Sequence, residues 1–323
     1  MKAARLVGPK HFEMVEAEVP VPEEGQCLIK LEKLSVCGSD IRHEYSHLFP
    51  EEHYPVRLGA PCHECAGVIV ESKSQEFREG QRVIIYPGRE NPTGGLVEYI
   101  TAGPRWMCAL PDEGELSEWL MCQPSATVLY SCQQMGTLLG KDVVILGQGA
   151  IGLSFSMITS RLGAHQVIGI DPLGYRLEWG KKVGATHTLN PNRVEVTDAV
   201  QELTGGRGPD VVVDAAGYPD TLNMAFRLVR QFGTVMVFGV QGDPRVPIQH
   251  ELLMDKQPTI IPTTGGRIPE PMAPIRTMVD LKHRGWADPG QLVTHTLPVE
   301  EVQRAFDMYE GQLDNVIKVV MTV

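Results

Sequence analysis

The stretch Asp142-Val143-Val144-Ile145-Leu146-Gly147-Gln148-Gly149-Ala150-Ile151-Gly152 decides the fold of the second half of the chain. Its four consecutive apolar residues predict a buried strand, and its glycines have the spacing G-x-G-x-x-G. The first glycine permits a tight turn, the second lets the backbone approach a pyrophosphate, and the third allows close packing of helix on strand. Because residues 150–162 then have the length of a helix, the stretch predicts a dinucleotide-binding turn.

An acidic residue supports this interpretation. Asp171 ends the next predicted strand, at the distance beyond Gly152 that this motif requires of its acidic residue. A carboxylate there can accept hydrogen bonds from both ribose hydroxyls and would repel a 2′-phosphate, which favours NAD over NADP. Arg176 lies nearby and could bind a 2′-phosphate, which would weaken this preference. The alternative interpretation of Asp171 is that it only caps a helix. The candidate cofactor-binding residues of this stretch are Gly147, Gly149, Ala150, Ile151, Gly152, Asp171 and Arg176.

Short apolar strands and helix-length segments alternate from about residue 140. The six predicted strands are 143–146, 167–171, 186–189, 210–214, 234–239 and 259–261. Such alternation predicts a doubly wound parallel sheet, the Rossmann arrangement. Gly217 and Gly239 follow the carboxyl ends of two of these strands, where ligands bind in such sheets, so we expect both to contact the cofactor.

The part of the chain up to Leu110 is different, because short strand candidates alternate there with Gly/Pro turns. A helix and a strand close the chain, and the strand 316–321 could rejoin this β-rich part. We therefore expect an α/β protein with two domains: a discontinuous β-rich domain of residues 1–124 and 288–323, and a dinucleotide-binding domain of residues 125–287.

Composition excludes several classes of protein. The chain has 323 residues and a net charge of −11 without a basic stripe, which disfavours nucleic-acid binding. It has no apolar run long enough to span a membrane, and residues 1–10 lack the apolar core of a signal peptide. The seven cysteines, an odd number, resemble reduced thiols rather than a disulfide framework. These features predict a cytoplasmic protein.

Metal-ligating side chains form a second motif. Cys37 follows a predicted strand, and the pair His63-Glu64 comes before the next predicted strand. All three are competent zinc ligands, and a catalytic zinc takes three protein ligands plus an open position. Spacing alone leaves open that Cys37 is a buried structural cysteine and Glu64 part of an acidic turn.

The sequence resembles the zinc-containing medium-chain dehydrogenase/reductase superfamily, in its polyol-dehydrogenase-like branch, over nearly its whole length. The segments that carry the resemblance are Cys37-Gly38-Ser39-Asp40, His63-Glu64, Gly80-Gln81-Arg82-Val83, Gly94-Gly95-Leu96-Val97-Glu98-Tyr99, Gln123-Pro124 and the close of the chain up to Ile317-Lys318-Val319. The resemblance implies a GroES-like catalytic domain and one catalytic zinc held by Cys37, His63, Glu64 and Gln123.

The sequence departs from the family pattern in three places. Many relatives carry a lobe with four cysteines that bind a structural zinc, but the segment between Pro87 and Gly94 is too short for it and holds no cysteine, so we expect that zinc to be absent. Arg42 stands where many relatives have a relay histidine, and His43 is the next residue. Finally, Cys62, Cys65 and Cys122 flank predicted ligands and could replace one or simply pack nearby.

The resemblance implies reversible oxidation of a secondary alcohol, such as a polyol or sugar, with NAD. Its expected catalytic residues are Ser39, which takes the alcohol proton, Glu64 as a movable carboxylate, and His43. Two alternatives remain open: a zinc-independent quinone or enoyl reductase, and a non-catalytic NAD(H)-binding redox sensor. We expect a small-molecule substrate, no nucleic-acid or membrane partner, and a homodimer or homotetramer.

Overall fold

The computed structural model describes residues 1–47, 49–88, 91–241, 245–264 and 268–323. These residues form two compact units: unit 1 comprises Met1–Pro124 and Pro269–Val323, and unit 2 comprises Ser125–Ile268. The sequence-based division placed the second boundary at 288 rather than 269. The difference arises because the helix Met272–His283 packs against the strand Met107–Ala109 of unit 1.

The secondary structure alternates as the sequence suggests. In chain order, the strands are β1 Lys2–Gly8, β2 His11–Glu16, β3 Cys27–Ser35, β4 Glu64–Ser72, β5 Arg82–Ile85, β6 Tyr99–Ala102, β7 Met107–Ala109, β8 Asp142–Leu146, β9 Gln166–Ile170, β10 His187–Leu189, β11 Val211–Asp214, β12 Thr234–Val237, β13 Thr259–Pro262, β14 His295–Pro298 and β15 Val319–Thr322. The α-helices are α1 Gly38–Asp40, α2 Leu116–Leu120, α3 Cys122–Gln134, α4 Ala150–Arg161, α5 Gly174–Val183, α6 Val196–Leu203, α7 Pro219–Leu228, α8 His250–Lys256, α9 Met272–His283 and α10 Val302–Gly311.

Unit 1 is built on a mixed sheet. Its described strands follow the order β14-β15-β3-β4-β5-β7, and β6 also pairs with β3. The C-terminal strand β15 runs antiparallel to β3, as expected for a strand that rejoins the N-terminal part. Buried side chains of β3, β4 and α10, such as Leu31, Ile69 and Phe306, form its core. The β-rich fold expected for this part is confirmed.

Close contact between β3 and β4 depends on one glycine. A Cβ atom on Gly67 would lie 2.1 Å from the carbonyl oxygen of Lys30, which is far inside van der Waals contact. The pairing of the two strands shifts register between Leu31 and Lys33, next to this approach. Gly67 therefore lets β3 and β4 approach closely.

The described residues of unit 2 form one parallel sheet of six strands in the order β10-β9-β8-β11-β12-β13. This is the order of a doubly wound dinucleotide-binding sheet, so the fold prediction is confirmed. The residues of β8 and β11 are buried throughout, because helices cover a parallel sheet on both faces. Val144, Ile168, Val212 and Phe226 lie in the core beneath α7. No helix among the described residues has both the length and the hydropathy that a membrane crossing requires.

Candidate active site

The pairing of β3 and β4 brings the candidate zinc ligands together. Ser35, the last residue of β3, pairs with Glu64, the first residue of β4. Cys37 lies just beyond Ser35, and His63 directly precedes β4. The Sγ of Cys37, a ring nitrogen of His63 and a carboxylate oxygen of Glu64 all lie within 4.8 Å of one another. Zinc–ligand bonds of ~2.0–2.3 Å separate tetrahedral ligand atoms by less than this, so the three side chains fit a shared ion.

Asp40 orients the histidine ligand. Its buried carboxylate places Oδ1 2.6 Å from Nδ1 of His63, while Oδ2 accepts the backbone N–H of Cys37. A carboxylate on one ring nitrogen is the usual partner of a metal-bound histidine and leaves Nε2 as the ligand atom. The sequence motif contains Asp40, but sequence reasoning gave it no role. Its signal was its position within the same short motif as the ligand cysteine.

The charges around His63 favour a bound cation. Burial by itself would lower the pKa of His63, but the negative charges of Asp40 and Cys37 outweigh burial and hold that pKa well above its usual value. Without a metal, the site therefore retains a proton on this ring. A divalent cation bound to neutral imidazole would replace that positive charge.

Glu64 is fully buried and has a buried cation beside it. Lys318 Nζ lies 2.6 Å from Glu64 Oε2, at an angle outside hydrogen-bond geometry, and donates to the carbonyl oxygen of Val36. Burial would lower the pKa of Lys318, but the charge of Glu64 raises it above its usual value. Lys318 thus stays charged and compensates the carboxylate. Sequence reasoning assigned no role to Lys318, because it lies near the end of the chain and its partner lies in the first quarter.

Buried side-chain oxygens of Ser35, Glu64 and Gln123 lack hydrogen-bond partners among the described residues. Glu64 Oε1 and Gln123 Oε1 have no hydrogen-bond partner among the described residues. Gln123 lies in the first turn of α3 and follows α2, which packs against β3 and β4. Buried polar atoms without partners are rare, and a metal ion would satisfy both oxygens. The predicted ligands therefore fit a zinc ion chemically.

The predicted proton-transfer residues occupy different environments. Ser39 lies next to the ligand cluster, and its hydroxyl donates a hydrogen bond to Cys37 Sγ at 3.2 Å. His43 is exposed on the π-helical turn Ile41–Tyr45 that follows α1. The catalytic role of His43 stays a prediction.

The cysteines that flank the ligands lie outside the cluster of Cys37, His63 and Glu64. Cys62 and Cys122 are buried, and the pKa of each thiol is raised, for Cys62 by Cys65 and burial and for Cys122 chiefly by burial. Thiols held in the protonated form are poor metal ligands and poor redox nucleophiles. Between Pro87 and Gly94, Arg89 and Glu90 lie outside the described residues, so the absence of a structural zinc stays a prediction.

The glycine-rich turn of unit 2 has the expected form. Gly147 has a φ of +89° and joins β8 to α4, which begins at Ala150 and continues through Ile151. A Cβ on Gly152 would lie 1.8 Å from the carbonyl oxygen of Gly147, so the turn can close only around glycine. Gly149, by contrast, has open space around it. Among the described atoms, only the Arg176 guanidinium lies within 4 Å of an added Cβ, at 3.8 Å. This open, positively charged position at a helix N-terminus fits a phosphate.

Asp171 lies directly beside this turn. It is buried, and its carboxylate accepts the backbone N–H groups of Gln148 at 2.8 Å and Leu173 at 2.9 Å. Arg176 Nη1 lies 3.7 Å from the same carboxylate. A carboxylate can accept about four hydrogen bonds, so these contacts leave capacity for ribose hydroxyls. The same contacts also serve the alternative role of Asp171 as a purely structural residue.

Gly217 and Gly239 lie against each other beyond the carboxyl ends of β11 and β12. A Cβ on Gly239 would lie 2.2 Å from the backbone nitrogen of Gly217. Packing thus explains the glycine at 239 and a φ of +71° explains the one at 217, and contact of either with a cofactor stays a prediction. Sequence reasoning missed Gln148, whose buried side chain fills the space above Gly169 and Gly180 and accepts a hydrogen bond from Ser156.

Comparisons with known proteins agree with this geometry. An alcohol dehydrogenase GroES-like domain model matches residues 23–129, and a zinc-binding dehydrogenase model matches residues 150–281. A zinc-type alcohol dehydrogenase-like protein of Haemophilus influenzae is 31% identical over 245 residues, which cover 67% of this chain and 70% of that protein. Sorbitol dehydrogenase of Bacillus subtilis is 27% identical over 286 residues, 80% of each chain. An Escherichia coli oxidoreductase/dehydrogenase of unknown specificity superimposes with a TM-score of 0.89, at 26% identity and with 99% and 98% of the two chains covered.

The chain belongs to the zinc-containing medium-chain dehydrogenase/reductase superfamily. The relatives reported above are a zinc-type alcohol dehydrogenase-like protein and a sorbitol dehydrogenase, so this protein is an oxidoreductase. Membership implies zinc, a nicotinamide cofactor and a small-molecule substrate. The resemblance inferred from the sequence motifs is thereby confirmed.

Proposed function

We propose that the protein reversibly oxidises a secondary alcohol of a polyol or sugar to a ketone, with NAD as the hydride acceptor and one catalytic zinc. The observation that carries this proposal is the convergence of the Cys37, His63 and Glu64 ligand atoms within 4.8 Å. Asp40 and Lys318 support the proposal, because Asp40 contacts His63 and Lys318 contacts Glu64, each at 2.6 Å.

Cys37 as thiolate, His63 as neutral imidazole, Glu64 and Gln123 would hold the zinc ion. When bound, the ion acts as a Lewis acid that favours the alkoxide form of the alcohol at neutral pH. Gln123 is a neutral ligand, and a neutral ligand leaves the ion more electrophilic than a second carboxylate would.

Ser39 would take the proton that the alcohol loses while passing its own hydroxyl proton to the next acceptor. Its hydroxyl already lies within hydrogen-bond distance of Cys37 Sγ, so it lies next to the position where the alcohol would react. His43, which is exposed, is the proposed next acceptor and would pass the proton to solvent, and a bound nicotinamide would supply the acceptor for the hydride. The alcohol thus loses two electrons and two hydrogens, one as proton and one as hydride.

Glu64 has two positions available in this scheme. Its Oε2 is paired with Lys318, while Oε1 has no hydrogen bond within the described part of the chain. The carboxylate would therefore hold the ion through Oε1 or remain paired with Lys318. We propose this movement as the catalytic role of Glu64.

We propose NAD as the cofactor because Asp171 holds a carboxylate beside the glycine-rich turn. A 2′-phosphate would lie close to that negative charge. Arg176 reduces the repulsion through its contact of 3.7 Å, so the preference for NAD is finite rather than absolute.

A screen of polyols and sugars with NAD, following NADH formation in zinc-loaded protein, tests the proposal. We expect turnover with at least one polyol, loss of turnover in Cys37→Ala and His63→Ala, and NADH binding within about threefold of wild type in both. The matched control is Cys108→Ala, since Cys108 is buried outside the ligand cluster.

Two outcomes would contradict the proposal. Turnover that survives chelation and both substitutions would favour a zinc-independent reductase. NADH binding without turnover on any alcohol in zinc-loaded protein would favour a redox sensor.

A further inference from the structure

An aromatic pair lies beside the histidine ligand and is not used by the mechanism above. Tyr86 directly follows β5, and its ring packs edge-on against His63 with the ring centroids 5.8 Å apart. The ring centroids of Trp106 and Tyr86 lie 5.9 Å apart, and the Tyr86 backbone N–H donates to the carbonyl oxygen of Trp106. The strand β7 that follows Trp106 pairs with β5, so both rings are fixed by the sheet.

The loop after Tyr86 is shaped around this pair. A Cβ on Gly88 would lie 3.1 Å from the Trp106 ring, tighter than most contacts of a Cβ atom. The Arg105 guanidinium carbon lies 5.3 Å from the centroid of the same ring. Trp106 is thus held in place by Gly88 and by Arg105, and it in turn supports Tyr86.

Tyr86 is half-buried, and no described residue makes a hydrogen bond to its hydroxyl, whereas Tyr45 and Tyr54 each donate to an oxygen. Tyrosine hydroxyls usually find a hydrogen-bond partner when they are buried, and in a half-buried tyrosine a bound ligand can be that partner. Within the described part of the chain, a phenol one ring away from a zinc ligand therefore keeps a donor and an acceptor available to the reacting alcohol.

We propose that Tyr86 is a substrate-specificity residue whose hydroxyl binds a second hydroxyl of the substrate, on the carbon next to the one oxidised. This inference rests on the proposed function and narrows its substrate class to vicinal diols, the unit repeated in polyols and sugars. The ring of Tyr86 also offers an apolar face to the carbon-bound hydrogens of such a substrate. A site that hydrogen-bonds a substrate hydroxyl rejects analogues without it, because its own polar group is then left unpaired.

The test uses butane-2,3-diol and butan-2-ol, which differ by that one hydroxyl. We expect wild-type protein to prefer the diol in kcat/KM and Tyr86→Phe to reduce the preference about 10- to 100-fold. Only kcat/KM for the diol should fall, while kcat/KM for butan-2-ol should stay within about threefold of the wild-type value. Calorimetry of diol binding to the zinc-loaded protein with NADH should show a matching increase in Kd, which provides a readout independent of turnover.

The matched control is Tyr99→Phe, the same loss of one oxygen at the far end of β3. Tyr99 pairs with Lys30, whereas the ligand cluster adjoins Ser35. We expect this variant to keep the wild-type preference.

Equal effects of Tyr86→Phe on both alcohols, or no effect on either, would overturn the inference while leaving the proposed dehydrogenase activity in place. Wild-type protein that oxidises neither these alcohols nor any polyol would instead overturn the proposed function, and the inference with it.

Discussion

At the scale of the residue, the candidate site is a set of buried charges arranged in pairs. Asp40 lies against His63 and Lys318 against Glu64, each at 2.6 Å. Burying an unpaired charge costs several kcal/mol, so these partners are needed whether or not a metal is bound. The sequence alone could suggest Cys37, His63 and Glu64, because their types are typical of zinc ligands. It could not suggest Lys318, because that contact exists only after the C-terminal strand has joined the sheet.

Asp171→Ala tests the cofactor assignment. Removing the carboxylate removes the repulsion of a 2′-phosphate and frees the Arg176 guanidinium, which lies 3.7 Å away. We expect the ratio of kcat/KM for NAD to that for NADP to fall at least tenfold, measured with one alcohol at saturating zinc.

The control for this prediction is Asp198→Ala, a carboxylate in the first turn of α6. An unchanged cofactor ratio in Asp171→Ala would mean that Asp171 only supports the turn through Gln148 and Leu173.

At the scale of the element, glycines determine how closely strands and helices approach. The spacing Gly147-x-Gly149-x-x-Gly152 could be interpreted from the sequence because each glycine has a known task in this turn. The role of Gly67 could not be inferred from the sequence, because the atom that leaves no room for a side chain is the Lys30 carbonyl oxygen on a neighbouring strand. The hairpin of β1 and β2 was also missed, although Gly8-Pro9 between the two strands is a turn signal.

Gly67→Ala should destabilise unit 1. The added Cβ would lie 2.1 Å from the Lys30 carbonyl oxygen, so β3 and β4 must separate near the ligand-bearing ends. Overpacking of this kind costs about 2 kcal/mol, and we expect Tm to fall by roughly 5 °C. Thermal unfolding followed by circular dichroism measures the change.

Gly103→Ala is the matched substitution, because Gly103 has a φ of −91° and no described atom within 4 Å of an added Cβ. Its Tm should stay close to that of wild type. A Tm of Gly67→Ala equal to that of wild type would show that the strands adjust without cost.

At the scale of the whole molecule, the α/β class and the six-stranded order of unit 2 could be predicted because strand and helix periods alternate all the way from β8 to β13. The return of the last strand to the first unit was also within reach of the sequence. The position of the second boundary was not, because α9 has an ordinary helical pattern. Its packing against β7 and the contacts of Lys282 with Glu118 and of His283 with Trp119 assign it to unit 1.

The oligomer is a proposal at this scale. Strand β13 forms one edge of the described six-stranded sheet, and Ile260 on it is 43% exposed, with Phe232 and Met254 also exposed. An open apolar edge is a template for pairing with another chain, so we propose that β13 joins two copies. Light scattering should give a mass of at least twice 35.6 kDa for wild type and a smaller mass for Ile260→Lys. A monomeric wild-type protein would contradict this.

The central claim is that one zinc ion is bound by the Cys37 sulfur and the His63 imidazole. X-ray absorption at the zinc edge, on protein purified with zinc and on its Cys37→Ala variant, tests this most directly. We predict about one zinc per chain, with a single sulfur neighbour at about 2.3 Å that is absent in the variant. Protein without zinc, or a zinc shell whose sulfur signal is the same in both proteins, would contradict the claim.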